Sequence, residues 1–310
     1  MTTFSVIVPV YNGEKYIRET LDSIVKTTFN FESEIIVVND GSTDRTEDIV
    51  KSYGGIISLI NQGNQGEASA VNCGILASKG EFGLIVSADD PLLTGLLFSE
   101  AIKIFETEPN CLAVYPDWQM IDNQGLVIKN VICSDFSTEE MIGQFKCLPG
   151  PGTIFKLSFA KQINGRNVTY KFTSDYDFWL RLSQFGYFKH IPKNLAQWRN
   201  HSDSTSINSR GIEMANERIS VMTNFLNEFP QNEFLHKQAL ASAYYNAALL
   251  AFFDKLIPGR KWMLHAIKIK RGWIKGSRVI IVLYLLLLPV SRYLYKVLEI
   301  SRLNTIIRHK

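Results

Sequence analysis

Between Ser5 and Ser87, short β-branched apolar runs alternate with segments of helical period. SVIVPV, SEIIVVN, IISLIN and EFGLIVS read as four strands. Tyr16, Ile17, Thr20, Leu21 and Ile24 mark one helical face between them, and Ala70, Val71, Gly74 and Ile75 mark another. This alternation specifies βαβ units with right-handed crossovers. The predicted class is therefore α/β, an open, twisted, mainly parallel sheet flanked by helices. A strand around Cys111 to Tyr115 continues it, followed by a hairpin-like pair, WQMI and LVIK, joined by Asp122, Asn123, Gln124 and Gly125. From residue 210 the spacing turns helical through Ile219, Met222, Phe225 and Leu226, breaks at Pro230, and resumes from Ala239 to Phe253. The expected organisation is a sheet-forming domain at 1–209, a C-terminal helical extension at 210–257, and a tail at 258–310.

Composition changes this picture mainly through charge. The chain of 310 residues is 46% apolar, enough to bury a core, so disorder is not expected. Its net charge of +3 conceals a split, because residues from Asp254 onward hold 13 Lys and Arg against Asp254 and Glu299. The body before them is net acidic, unlike a nucleic-acid-binding surface, and no nucleic-acid partner is expected. In the tail, VIIVLYLLLLPV at 279–290 is too short to span a bilayer, which takes about 20 apolar residues. Together with Trp262, Trp273 and the surrounding cations it suits a segment lying on an anionic membrane surface, or else a helix that docks on protein. Cys73, Cys111, Cys133 and Cys147 form no CxxC pair and read as reduced packing residues. MTTFSVIVPV has no basic stretch ahead of its apolar run, so no secretory signal is expected, and the body is placed in the cytoplasm at the inner face of the membrane.

Ligands of an open parallel sheet bind beyond the carboxyl ends of its strands. Here those ends are polar: Pro9, Val10, Tyr11 and Asn12 after the first strand, Asn39, Asp40, Gly41, Ser42, Thr43 and Asp44 after the second, Ser87, Ala88, Asp89 and Asp90 after the fourth. Neither GxGxxG nor a P-loop occurs, so a diphosphate in this cleft would need a cation rather than a glycine cradle. Asp89 and Asp90 offer hard oxygen ligands suited to Mg2+ or Mn2+. Alternatively, they cap a helix beginning near Thr94.

Taken in order, VIVPVYN, VVNDGSTD, NQGNQGEASAVNCGI and SADDP resemble the motifs of family 2 glycosyltransferases over roughly residues 4 to 205. The resemblance implies a GT-A-like fold and transfer, with inversion, of a sugar from a nucleoside diphosphate sugar, UDP-linked by preference, to a hydroxyl of a glycan or lipid-linked acceptor in cell-surface polysaccharide synthesis. It implies nucleotide contacts from Pro9, Tyr11, Asp40, Asn72 and Asp89, support of the loop by Asp44, and a metal on Asp90; Asp89 touches ribose or the metal, and the other reading of Asn72 is a cap or a bridge between helix and loop. It also exposes departures, since Ser87 stands where a further Asp is frequent and Val71 where an Arg is frequent.

On the acceptor side, FTSDYDFWLRLSQFG places Asp175 and Asp177 at a predicted helix start. It resembles the family's acceptor motif, with Ser174 in place of Glu and with Trp179 and Arg181 matching. Asp175 is the expected base for the attacking hydroxyl, and a helix cap is the other reading of it. Gly150 to Thr153, including Gly152, form either a loop lining the acceptor pocket or an ordinary turn. By the same resemblance, His201 completes the metal coordination and Arg199 holds the diphosphate. A nucleotide-sugar-binding scaffold without turnover is the competing functional reading.

Overall fold

The computed structural model describes residues 3–147, 149–201, 211–254 and 256–270. They fall into two compact units, one of residues 3–141 and 147–201 and a smaller one of 142–146 and 211–270. The expected membrane or docking run at 279–290, with Trp273, lies outside the described residues.

The first part of the larger unit is built from β1 (Phe4–Val10), α1 (Ile17–Thr28), β2 (Ser33–Asp40), α2 (Thr46–Lys51), β3 (Ile57–Gln62), α3 (Glu67–Ala77), β4 (Phe82–Ile85) and α4 (Leu96–Thr107). β3, β2, β1 and β4 lie side by side and parallel, as the alternation requires. All seven residues of β1 are buried because the strand is covered on both faces. Phe4, Val6 and Val8 join a core with Ile17, Leu21 and Ile24 of α1 and with Leu97, Phe98 and Ala101 of α4. Ile7 points the other way, against α3, where a Cβ on Gly74 would stand 2.3 Å from its Cγ2. Glycine at 74 is what lets α3 approach the sheet.

β5 (Cys111–Ile121), β6 (Val127–Val131), α5 (Thr138–Gln144), β7 (Ile154–Lys156), α6 (Leu157–Gln162), α7 (Ser174–Leu182) and β8 (Tyr187–Arg199) follow. β7 is antiparallel to both β4 and β5, and β8 runs parallel to β5. Two expectations change here. The segment expected as two strands is one, continuous through Pro116, and the register with β8 shifts on either side of Asp117, where a proline that cannot donate is accommodated. β8 itself was not predicted, since YFKHIPKNLAQWR has neither a clean alternation nor an apolar run.

The smaller unit contains α8 (Gly211–Glu228), α9 (Glu233–Asp254) and α10 (Leu256–Ile269). α9 starts six residues ahead of the expected Ala239 because Asn232 Oδ1 accepts from the Leu235 N–H at 2.9 Å, a side-chain cap. Ala215, Ala247 and Ala251 form a small-residue seam against which Ile219 and Trp262 pack. Trp262 therefore belongs to a packed helical element rather than to a membrane-facing tail. Among the described residues no helix is long and apolar enough to cross a membrane.

Gly74→Ala separates two effects of opposite sign. Helix propensity gains about 1 kcal/mol, whereas the overlap with Ile7 costs about 1–3 kcal/mol. The overlap wins, so urea denaturation of the variant is expected to show a lower midpoint with an unchanged slope.

Candidate active site at the strand ends

The turns after β1 and β2 are locked together by hydrogen bonds. Asn12, in the left-handed region at φ 51°, donates its N–H to Ser42 Oγ at 2.9 Å and accepts from the Thr43 N–H at 2.8 Å. The Gly13 N–H reaches Thr46 Oγ1 at 2.8 Å, and the Glu14 N–H reaches Asp44 Oδ2 at 3.0 Å. Burial alone would raise the Asp44 pKa, but its bonds from Thr46 and the Glu14 N–H overcome that and hold the carboxylate below its ordinary value. Pro9 is buried in β1 opposite Val38, and Tyr11 stands half exposed on the rigid corner. Asp40, 3% exposed at the end of β2, accepts from Gln62 Nε2, Gln65 N and Gly66 N, each at 2.8 Å. It thus fixes the loop leading into α3.

The acidic pair is the centre of the site. Neither residue caps a helix: α4 begins at Leu96 after Gly95, with no acidic residue in its first turn. Asp90 is 7% exposed and accepts from the Arg199 N–H at 2.7 Å. Burial first, and then the neighbouring Asp89, push its pKa well above the ordinary value, opposed by the Arg199 N–H and the Ser87 hydroxyl. Asp89 Oδ2 lies 2.7 Å from His201 Nε2. The other imidazole nitrogen, Nδ1, is buried with no hydrogen-bond partner. Tyr16, from the start of α1, has its ring 5.2 Å from that of His201 and 4.7 Å from the Arg199 guanidinium.

Arg199 corrects an expectation. Its side chain is 1% exposed and committed inward: Nε donates to Asp89 O at 2.9 Å, Nη1 to Asp122 O at 3.1 Å and Nη2 to Glu19 Oε2 at 2.7 Å. It is a strut behind the acidic pair and does not open onto a diphosphate. Trp179 is likewise 6% exposed among Phe155, Phe178 and Phe188, a core position rather than an acceptor contact. Gly152, at φ 76°, is buried where a Cβ would stand 2.7 Å from that of Ala196, which supports the turn reading over the pocket reading.

Asp175 and Asn72 have partners of their own. Asp175 is the second residue of α7 and is not its cap, which falls at Thr173. Solvent reaches its carboxyl, yet it lies recessed among protein atoms. That desolvation raises its pKa against the pull of the Arg166 guanidinium and the Tyr176 N–H. Cys147 is exposed as a residue, yet desolvation and then the neighbouring Asp175 push its thiol up. Asn72 spends its amide on the Arg166 backbone, donating from Nδ2 to the carbonyl and accepting at Oδ1 from the N–H, both at 2.7 Å. It positions that loop.

Sequence reasoning missed Glu19, Tyr16, Glu67 and Arg166. The first two were legible only as helix-face residues, and Arg166 only as part of the turn chemistry of NGRN, where Asn164 and Gly165 take positive φ.

The family described as Glycosyl transferase family 2 matches residues 5–149. An uncharacterized glycosyltransferase of Rickettsia prowazekii is 30% identical over 239 residues, 74% of this chain and 74% of that one. The hyaluronan synthase of Pasteurella multocida is 28% identical over 265 residues, 84% of this chain and 25% of the synthase. Among solved structures, S. aureus TarS 1-349 in complex with UDP-GlcNAc superposes with a TM-score of 0.67 at 19% identity, covering 86% of this chain and 80% of TarS 1-349.

Removing one member of a buried charged network costs about 3 kcal/mol or more. Arg199→Gln is therefore expected to lower the unfolding free energy by about that amount. Arg199→Lys should lose somewhat less, because it keeps the positive charge beside Glu19, although an ammonium cannot span three acceptors set around a planar fork. Denaturant titration of the two variants beside wild type checks this.

Proposed function

Since the chain belongs to glycosyl transferase family 2, we propose that it transfers a sugar from a nucleoside diphosphate sugar, UDP-linked by preference, to a hydroxyl acceptor with inversion at the anomeric carbon. The observation that carries this reading is the Asp89–Asp90 pair after β4, Asp90 buried and Asp89 half-buried, set beside His201 and framed by the locked turns after β1 and β2. Tyr11 offers an aromatic face to the base, and Asp40 keeps the adjoining loop in place for the nucleoside.

Two carboxylates that repel each other in a desolvated corner, with an imidazole nitrogen lacking a partner, have the donor chemistry of a divalent cation site. Among the described residues, no group of three His, Cys, Asp or Glu forms a ready-made metal cage. Asp90, Asp89 and His201 would hold Mn2+ or Mg2+ with positions left for diphosphate oxygens. Such an ion stabilises the negative charge that develops on the leaving diphosphate.

Asp175 is the base of this reading. The acceptor oxygen attacks the anomeric carbon from the side opposite the diphosphate. The carbon–oxygen bond to phosphate breaks, and the hydroxyl proton passes to the carboxylate. A carboxylate suffices when proton transfer is late, because positioning supplies much of the acceleration. A lipid-linked or glycan acceptor in cell-surface polysaccharide assembly belongs to the same proposal. It rests on the likeness to a hyaluronan synthase and on the basic, apolar segment from 271 to 310.

Calorimetry of UDP with and without Mn2+ tests the donor half. Binding is expected to depend on the metal and to fall at least about tenfold in Asp90→Asn, since hydrogen bonds and ion contacts of charged groups contribute about 1.5–3 kcal/mol. Metal-independent binding that survives the substitution would refute the assignment. For the acceptor half, Asp175→Asn should lower kcat by about 10²–10⁴-fold while leaving UDP affinity within about twofold. Because burial raises the Asp175 pKa and the base works ionised, activity is lost as pH falls through that raised value. The acid limb of kcat/KM should therefore lie above the ordinary carboxylate value of about 4.

A further inference from the structure

Arg166 has the geometry of a ligand-binding guanidinium rather than a surface ion pair. It follows α6 in the turn Asn164–Gly165, and its backbone is held at both N–H and carbonyl by the Asn72 amide at 2.7 Å. Gly165 is needed for that clamp, because a Cβ there would stand 2.2 Å from Asn72 Oδ1. The side chain is 10% exposed. Nη1 reaches Glu67 Oε1 at 2.8 Å, while Nε is buried with no hydrogen-bond partner. A buried guanidinium N–H left unpaired is unfavourable, so an acceptor that reaches it as the exposed Glu67 side chain moves aside would be held there.

Its neighbours say where that acceptor lies. Glu67 opens α3 immediately after Gly66, whose N–H is bound by Asp40 on the nucleoside side. On its other side Arg166 acts on Asp175 strongly enough to oppose the effect of burial on that carboxyl. Arg166 thus links the loop held by Asp40 to the base, with Glu67 bonded on one side and Asp175 within its electrostatic reach on the other. Arg199 is sealed inside the protein, and position 71 on α3 is a fully buried valine.

On the reading of the donor site given above, we propose that Arg166 binds an anionic oxygen of the sugar donor through its free Nε–H, with Asn72 as its positioning residue. Two parts of a donor carry such oxygens, the diphosphate and a carboxylate on the transferred sugar. Planar guanidinium forks suit both. Glu67, whose side chain is 62% exposed, holds Nη1 when no donor is present and is readily displaced.

Calorimetry with the full chain and Mn2+ distinguishes these sources, using UDP, uridine, UDP-glucose and UDP-glucuronate as probes. If the diphosphate is the ligand, Arg166→Gln weakens UDP about tenfold and leaves uridine unchanged. Glu67→Gln, which removes the competing carboxylate, leaves UDP affinity equal or tighter. If a sugar carboxylate is the ligand, UDP and UDP-glucose are unchanged in Arg166→Gln, and only UDP-glucuronate weakens by a similar factor. Equal affinities of wild type and Arg166→Gln for all four probes, with the variant's thermal midpoint intact, overturn the proposal. Should Arg166→Gln fold poorly, Arg166→Lys replaces it, with the same pattern expected at smaller size. A wild type that binds none of the four removes the donor reading itself, an outcome distinct from binding that ignores Arg166.

Discussion

Two adjacent carboxylates, one almost wholly withdrawn from water, are the constraint around which the larger unit is arranged. Isolated, they would drive each other toward the protonated form, since burial and a like charge act on Asp90 in the same direction. The structure answers with directed donors. Strand β8 delivers the Arg199 N–H to Asp90, its guanidinium reaches behind Asp89, and His201 closes on the Asp89 carboxylate. Glu19 in turn takes the outer edge of the guanidinium. The result is a pair of carboxylates held in place by directed hydrogen bonds from β8 and its continuation.

The surrounding loops divide into those that hold and those that receive. The corner formed by Asn12 to Glu14 with Ser42 to Thr46 is bonded across its whole length, and Asp40 is committed to three donors of the loop before α3. Little conformational entropy remains for a ligand to remove there, which favours affinity per contact. Tyr11, Asp175 and Arg166 are what this frame leaves available. Tyr11 stands on the rigid corner after β1, Asp175 at the start of α7, and Arg166 in the turn after α6.

The departures from the family pattern take on physical meaning in this frame. Val71 is not an empty position. It is buried at the face where α3 meets the sheet, one residue from the Asn72 amide that clamps Arg166. Ser87 donates a hydroxyl to Asp90 and so relieves the acidic pair of a third carboxylate's repulsion. Both positions thus carry uncharged side chains, while the acidic pair and Asp175 are intact.

Much of the fold was legible because its signals are local. The βαβ alternation, the four parallel strands and the polar residues that end them follow from side-chain period and turn chemistry, and they place Asp40, Asp89 and Asp90 at one sheet edge without reference to anything distant. β8 was not legible, because its residues are stabilised by pairing with β5, a partner more than sixty residues away, and not by their own pattern. The same reason governs the side chains. Arg199, Trp179 and Asn72 have the residue types of binding groups, and only their packing decides that the first is a strut, the second core and the third a clamp. Arg166, in a turn with no motif around it, became a candidate through contacts to Asn72 and Glu67 almost a hundred residues earlier. Sequence alone determined the kind of chemistry and the strand ends that carry it. Tertiary structure decided which polar groups remain free to perform it, because freedom is what is left after every long-range hydrogen bond and buried contact has been made.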